Sequence, residues 1–211
     1  MRTTVTATAY RFLPLLACAL ILTGCASSRS SQPTTVFDFG PALPQAQAQA
    51  QTAVPGIPAL VIMDATGAPV LDNERMYYRL GYADAMQARS YAHSRWSGNP
   101  LDLVTQRIKT RLSQSGMKVL SATDASTGVP ILRMEVDELM HSFTGAAQSE
   151  GQVVLRASVF EEHRLVDQRT FTRTTAAASQ DAAGGARALA ASLDAVAADL
   201  QAWLATLNVR R

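Results

Sequence analysis

The residues able to do chemistry in this 211-residue chain are few and scattered. Its histidines, His93, His141 and His163, have no cysteine or carboxylate at the short spacings that hold a metal. Asp137-Glu138 and Glu161-Glu162 are adjacent pairs. Neighbours on a strand point to opposite faces, so neither pair can act as acid and base on one substrate. They read as solvated strand and turn charges. No Gly-x-Ser-x-Gly turn occurs, and Gly184-Gly185 lacks the Lys-Ser/Thr of a phosphate loop. No catalytic residue, metal or cofactor is therefore expected. Two residues remain as candidates. Cys25 offers a thiol, and Trp96 offers a large ring that reads as the buried anchor of a helix start before it reads as an interface hot spot.

Cys25 is placed by what precedes it. Arg2 and Arg11 supply a positive end, Phe12 to Leu22 an apolar run interrupted by Pro14, and small residues lead to the cysteine. That is the pattern of a secretory signal. The run falls well short of the roughly 20 residues a spanning helix needs. The order Leu22-Thr23-Gly24-Cys25 resembles the lipobox of bacterial lipoproteins. The resemblance implies cleavage after residue 24 and diacylation of the Cys25 thiol. One acyl chain binds a membrane only marginally, at about 0.8 kcal/mol per buried methylene, and several on one residue make release negligible. Ala26, where an aspartate would suggest retention at the inner membrane, points by the same resemblance to the outer membrane and its periplasmic face.

The mature chain is long enough for one domain with a core of its own. The formal charge is +2; with Arg2 and Arg11 removed and no acidic residue lost, the remainder is formally neutral. Nothing suggests a nucleic-acid surface. Cys18 leaves with the signal, so no disulfide within the chain is expected, and stability must come from burial.

The elements follow from patterning. Residues 25–35 read as a flexible Ser-rich tether, and 36–211 as a single domain. Val36 to Phe39 suits a short first strand stopped at Gly40-Pro41. The Gln/Ala/Pro-rich stretch at 41–58 has no apolar face and reads as a linker. Ala59–Ala65 and Met76–Leu80 read as strands, Arg89–His93 as a weaker one, and Ser94–Gly98 as a turn. Asn99 as N-cap and Pro100 at the first helical position open a helix ended by Gly116. Its buried face is Leu101, Val104, Ile108 and Leu112, with Arg107, Lys109 and Arg111 largely elsewhere. Lys118-Val119-Leu120 would be a short strand. Ile131–Phe143, Val153–Phe160 and Leu165–Thr175 then form an antiparallel meander, with a turn from Gly145 to Gly151. The closing segment places Leu189, Leu193, Val196, Leu200, Trp203 and Leu207 on one stripe, with Asp194 and Asp199 off it. It reads as a long amphipathic helix packed on the sheet. The fold class is α/β: a mixed, largely antiparallel sheet packed by two main helices.

Several short stretches together resemble the ABC-type transport auxiliary lipoprotein family. Phe37-Asp38-Phe39-Gly40-Pro41 is similar to its opening aromatic-Asp-Leu-Gly-Pro strand, with Phe39 in place of the usual leucine. Met76-Tyr77-Tyr78-Arg79 resembles its Tyr-Arg strand. Tyr91, Arg95-Trp96, Pro100 and Leu103 resemble its Tyr, Arg-Trp and helix-start pattern, and Leu200 with Trp203-Leu204 its closing helix. The Gln/Ala insert is not part of the pattern. The resemblance implies a fold like the N-terminal domain of TolB and a non-catalytic role beside an envelope transporter. Its partner would be the mammalian-cell-entry-type substrate-binding protein of an ABC system that moves lipids or other hydrophobic compounds between membranes. Homo-oligomers stay open. The competing expectation is a structural or assembly lipoprotein of the envelope, with the same fold and no transport role.

Overall fold

Alternating apolar and polar positions from Ile131 onward build the strand on which the rest of the sheet assembles. The computed structural model describes residues 32–42, 57–124 and 127–208. In chain order these hold β1 (Thr35–Phe37), β2 (Ala59–Ile62), β3 (Thr66–Gly67), β4 (Arg75–Leu80), β5 (Ala88–Trp96), α1 (Pro100–Gln114), β6 (Lys118–Ser121), β7 (Ile131–Gly145), β8 (Gln148–Glu161), β9 (Arg164–Ala176) and α2 (Ala182–Leu204). The expected signal at 1–24, Cys25 with most of the expected tether, and residues 43–56 of the expected linker lie outside the described residues.

β7 is the spine. Along one edge it pairs in parallel with β2, β3 and β4 in turn; along the other it pairs antiparallel with β8. β8 pairs antiparallel with β9, so the meander forms as expected. β6 continues the sheet beyond β2, while β5 and then β1 continue it beyond β4. The sheet is mixed, and its longest pairings are the antiparallel ones.

Strand takes over part of the turns expected at Gly145–Gly151 and Ser94–Gly98. The turn expected from Gly145 to Gly151 shrinks to Ala146-Ala147, because β8 starts at Gln148. Gly151 lies inside β8, where α2 passes so closely that a Cβ would sit 2.4 Å from the Leu189 nitrogen. Only glycine admits that approach, and Ser192 Oγ then donates to the Gly151 carbonyl at 2.7 Å. β5 runs on through Ser94-Arg95-Trp96, since those residues pair with β1 where a turn was expected.

β7 also carries a bulge. Val136 pairs with Leu155 and Glu138 with Val154, leaving Asp137 as the extra residue. An extra residue reverses which side chains face inward. Before it Leu132, Met134 and Val136 are buried; after it Leu139, His141 and Phe143 are.

Both helices follow their sequence signals. Asn99 Oδ1 accepts from the Leu101 nitrogen at 2.9 Å, Pro100 opens α1, and Leu101, Val104, Ile108 and Leu112 are buried. Asp181 caps α2 by accepting from the Gly184 nitrogen at 2.7 Å. All six stripe residues of the closing segment are buried against β7, β8 and β9. Each such side chain taken out of water contributes about 1.5–3 kcal/mol. The helix therefore holds mainly by burial.

Candidate functional site

The segment Asp38-Phe39-Gly40, just after β1, sits between two open clefts. Phe39 drops into the core and lies 5.1 Å from the Trp96 ring. Asp38 Oδ1 accepts from the Gly40 nitrogen at 2.7 Å, and Gly40 takes φ +67°, which a glycine adopts without strain. One cleft, about 290 Å³, opens between β1 and α2; Val36, Phe37, Ala183, Ala190 and Arg187 line it. The other, about 260 Å³, opens toward α1 and is lined by Leu103, Gln106, Arg107 and Thr110. The lining is mostly apolar or uncharged, suited to contact with another surface rather than to bond-breaking.

What holds this corner is an ionic clamp that side-chain patterning misses. The spacing places Arg107 off the apolar stripe of α1, yet it is 8% exposed. Its Nε and Nη2 reach the two carboxylate oxygens of Asp194 at 2.6 and 2.8 Å, and its Nη1 donates to the Gly40 carbonyl at 2.9 Å. Arg111, one turn on, donates its Nε to the same carboxylate at 2.7 Å. The shared carboxylate ties α1 to α2 and, through Arg107, fixes the backbone between the clefts. Burial alone would raise the Asp194 pKa; hydrogen bonds from Arg111 and Arg107 outweigh it and hold the carboxyl below its ordinary range. The available signal was the Arg107/Arg111 spacing of four, which puts both guanidinium groups on one helix edge.

The second polar group drawn inside is His141, carried there by the β7 bulge. It is fully buried, its Nδ1 lies 2.7 Å from Tyr91 Oη, and Nε2 meets no partner among the described residues. Its ring rests on α2 at Gly185, where a Cβ would come within 2.4 Å of Nδ1. Burial holds Tyr91 well above the usual phenol range, helped by Tyr78 and Asp181, so it keeps its proton. Burial also lowers the His141 pKa, partly offset by Asp181. The fold thus holds a neutral imidazole, and the unfolded chain binds the extra proton. The stabilisation is complete above the ordinary histidine value of about 6.5 and is lost as pH falls below it. Unfolding free energy from urea titrations should drop by up to about 1.4 kcal/mol per pH unit there, and His141→Gln should flatten that stretch of the profile.

The other sequence candidates separate. Trp96 is 3% exposed, so its ring serves the core, and the surface at that corner is supplied by neighbours. His93 and His163 are exposed, whereas His141 is buried. Asp137 reaches Arg156 at 2.9 Å and Glu138 reaches Arg79 at 3.0 Å, on different strands. Among the described residues no three His, Cys, Asp or Glu side chains come together as a metal site. Among the same residues no helix is long and apolar enough to cross a membrane.

Comparison with known proteins gives the family. The model of the ABC-type transport auxiliary lipoprotein component matches residues 41–201. No curated protein matches the chain. Among solved structures, protein XCC0632 from Xanthomonas campestris is 21% identical with a TM-score of 0.61, over 81% of this chain and 91% of that one. A second, uncharacterised protein is 11% identical with a TM-score of 0.64, over 82% of this chain and 99% of that one. At such identities these two establish the shared fold. The family match, running from Pro41 to Gln201 and so over most of the chain, carries the assignment: this chain belongs to the ABC-type transport auxiliary lipoprotein component family.

Proposed function

We propose that the protein is exported, acylated on Cys25, and held by its acyl chains at the periplasmic face of the outer membrane. There it serves as a non-catalytic auxiliary subunit that docks the mammalian-cell-entry-type substrate-binding protein of an ABC transporter moving lipids or other hydrophobic compounds. The observation that supports docking is the pair of clefts flanking Asp38-Phe39-Gly40, whose backbone is pinned by Arg107. A rigid segment between two shallow, largely apolar hollows binds by shape and loses little freedom on association. Trp96 enters this reading as the residue that positions Phe39 from behind.

The test uses the acylated full chain in detergent and a purified mammalian-cell-entry-type protein from the same cell. Val36 is 47% exposed and lines the first cleft, so Val36→Glu places a charge there at little cost to the fold. Affinity should fall at least tenfold, about 1.4 kcal/mol, with the thermal midpoint nearly unchanged. No binding by the unmodified protein, or equal binding by the variant, would favour a structural envelope lipoprotein. Palmitate labelling that persists in Cys25→Ser would separately end the acylation reading.

A further inference from the structure

One end of the sheet carries an apolar tip that no part of the fold uses. Between β4 and β5, residues 81–87 are all exposed, Met86 at 93% and Tyr82 at 52%. The loop is not loose. The Ala83 and Asp84 nitrogens both donate to the Leu80 carbonyl at 2.9 Å, and Asp84 Oδ1 accepts from the Met86 nitrogen at 2.9 Å. Because Leu80 pairs with Phe143, the β7–β8 turn lies at the same end, and Ala146 and Ala147 are exposed there. Across residues 81–87 and 144–148 the one side chain charged at neutral pH is Asp84.

The direction of β1 bears on what meets this tip. β1 runs parallel to β5, entering beside Ser94 and leaving beside Trp96. The strand therefore starts on the side of Ala88 and the loop. Six residue steps along β5 separate Ser94 from Ala88, about 20 Å. The ten steps from Cys25 to Thr35 extend at most to about 36 Å, enough to bring an anchor level with the tip.

We infer that the 81–87 loop, with Tyr82 and Met86 leading, rests on the lipid surface and sets the orientation of the anchored domain. This rests on the acylation of Cys25 proposed above. A tyrosine ring suits the headgroup level, and a flexible thioether adapts to a disordered apolar boundary. Two side chains would not bind a membrane unaided. Tethered beside it, they act at high effective concentration. Asp84 keeps the contact shallow. The opposite end of the sheet, with Trp96 and the two clefts, then faces away from the bilayer and is free for a partner.

Met86→Cys tests this directly, since in the mature acylated chain it is the one free thiol: Cys18 leaves with the signal and Cys25 is consumed. Val70→Cys, 40% exposed and close to Leu71 and the start of α1, is the control. Each chain, labelled with an environment-sensitive NBD group, is reconstituted into phosphatidylethanolamine/phosphatidylglycerol vesicles with and without doxyl-labelled lipid. The expected result is a blue shift of at least 10 nm and at least twofold stronger quenching at position 86 than at position 70. Equal, water-like emission at both positions in chains that float with the vesicles would overturn the inference and leave the anchor standing. Shielding of position 86 that tracks protein concentration, or that needs the transport partner, would overturn it in favour of a second copy or of that partner. Failure of the unmodified chain to float would overturn both readings.

Discussion

Leu200→Asp should cost the domain at least about 4 kcal/mol and leave much of it unfolded at physiological temperature. Leu200 is fully buried near the C-terminal end of α2, between Val196 and Trp203 on the stripe that covers the meander. Removing the leucine alone costs about 2–5 kcal/mol through lost transfer energy and the cavity left behind. The carboxylate adds the penalty of an unpaired charge in an apolar interior. Domains of this size are stable by only about 5–15 kcal/mol, so the substitution removes a large share. Leu200→Met, which nearly preserves volume, should cost less than about 1.5 kcal/mol. Urea denaturation of the two variants side by side decides the matter. Equal stability would show that the stripe faces water or a partner.

Asp194→Ala should cost about 3 kcal/mol, by a different route. It leaves two guanidinium groups, 8% and 11% exposed, facing each other without the carboxylate that joined them. Breaking a buried ion pair from one side is far more damaging than removing it whole. Asp194→Asn should therefore be nearly as harmful, while Arg107→Met, Arg111→Met and Asp194→Leu together should come close to the unmodified protein. The single variants have a second effect, because Arg107 also holds the Gly40 carbonyl. Partner affinity should fall with stability in Asp194→Ala and fall further than stability alone explains. The pH sign follows from the depressed carboxyl. The clamp contributes fully above the ordinary carboxylate value, about 3.9, and its contribution is lost as pH falls below that. Denaturation at pH 7 and pH 3 should show the unmodified protein and Asp194→Ala converging at the lower value.

Local signals served well where one residue's chemistry decides the backbone. Asn99-Pro100 opened α1, Gly116 closed it with φ +89°, and the stripe from Leu189 to Leu207 marked the buried face of α2. Patterning failed where an element's environment comes from elsewhere in the chain. β5 reads weakly because its side chains alternate poorly: most are exposed, and the strand exists through backbone pairing with β4 and β1. Arg107 reads as a surface cation because its carboxylate partner is 87 residues away. Trp96, by contrast, reads first as a buried anchor, and it lies in the core against Phe39.

By itself the sequence determined the class of the domain, most of its strands, the faces of both helices and the family to which it belongs. These follow from periodicity, caps and short motifs, all of which act over a few residues. Only the tertiary structure decided which polar groups are inside and what the surface offers. The Asp137 bulge turned His141 inward, since one added residue reverses a strand's faces. Gly151 belongs to a strand because it pairs with His141 and Thr175, and Asp194 matters because two arginines on α1 converge on it. The clefts beside Asp38-Phe39-Gly40 and the apolar tip at Met86 exist only once distant segments share a sheet. Their position follows from strand order and register, and no local pattern carries that.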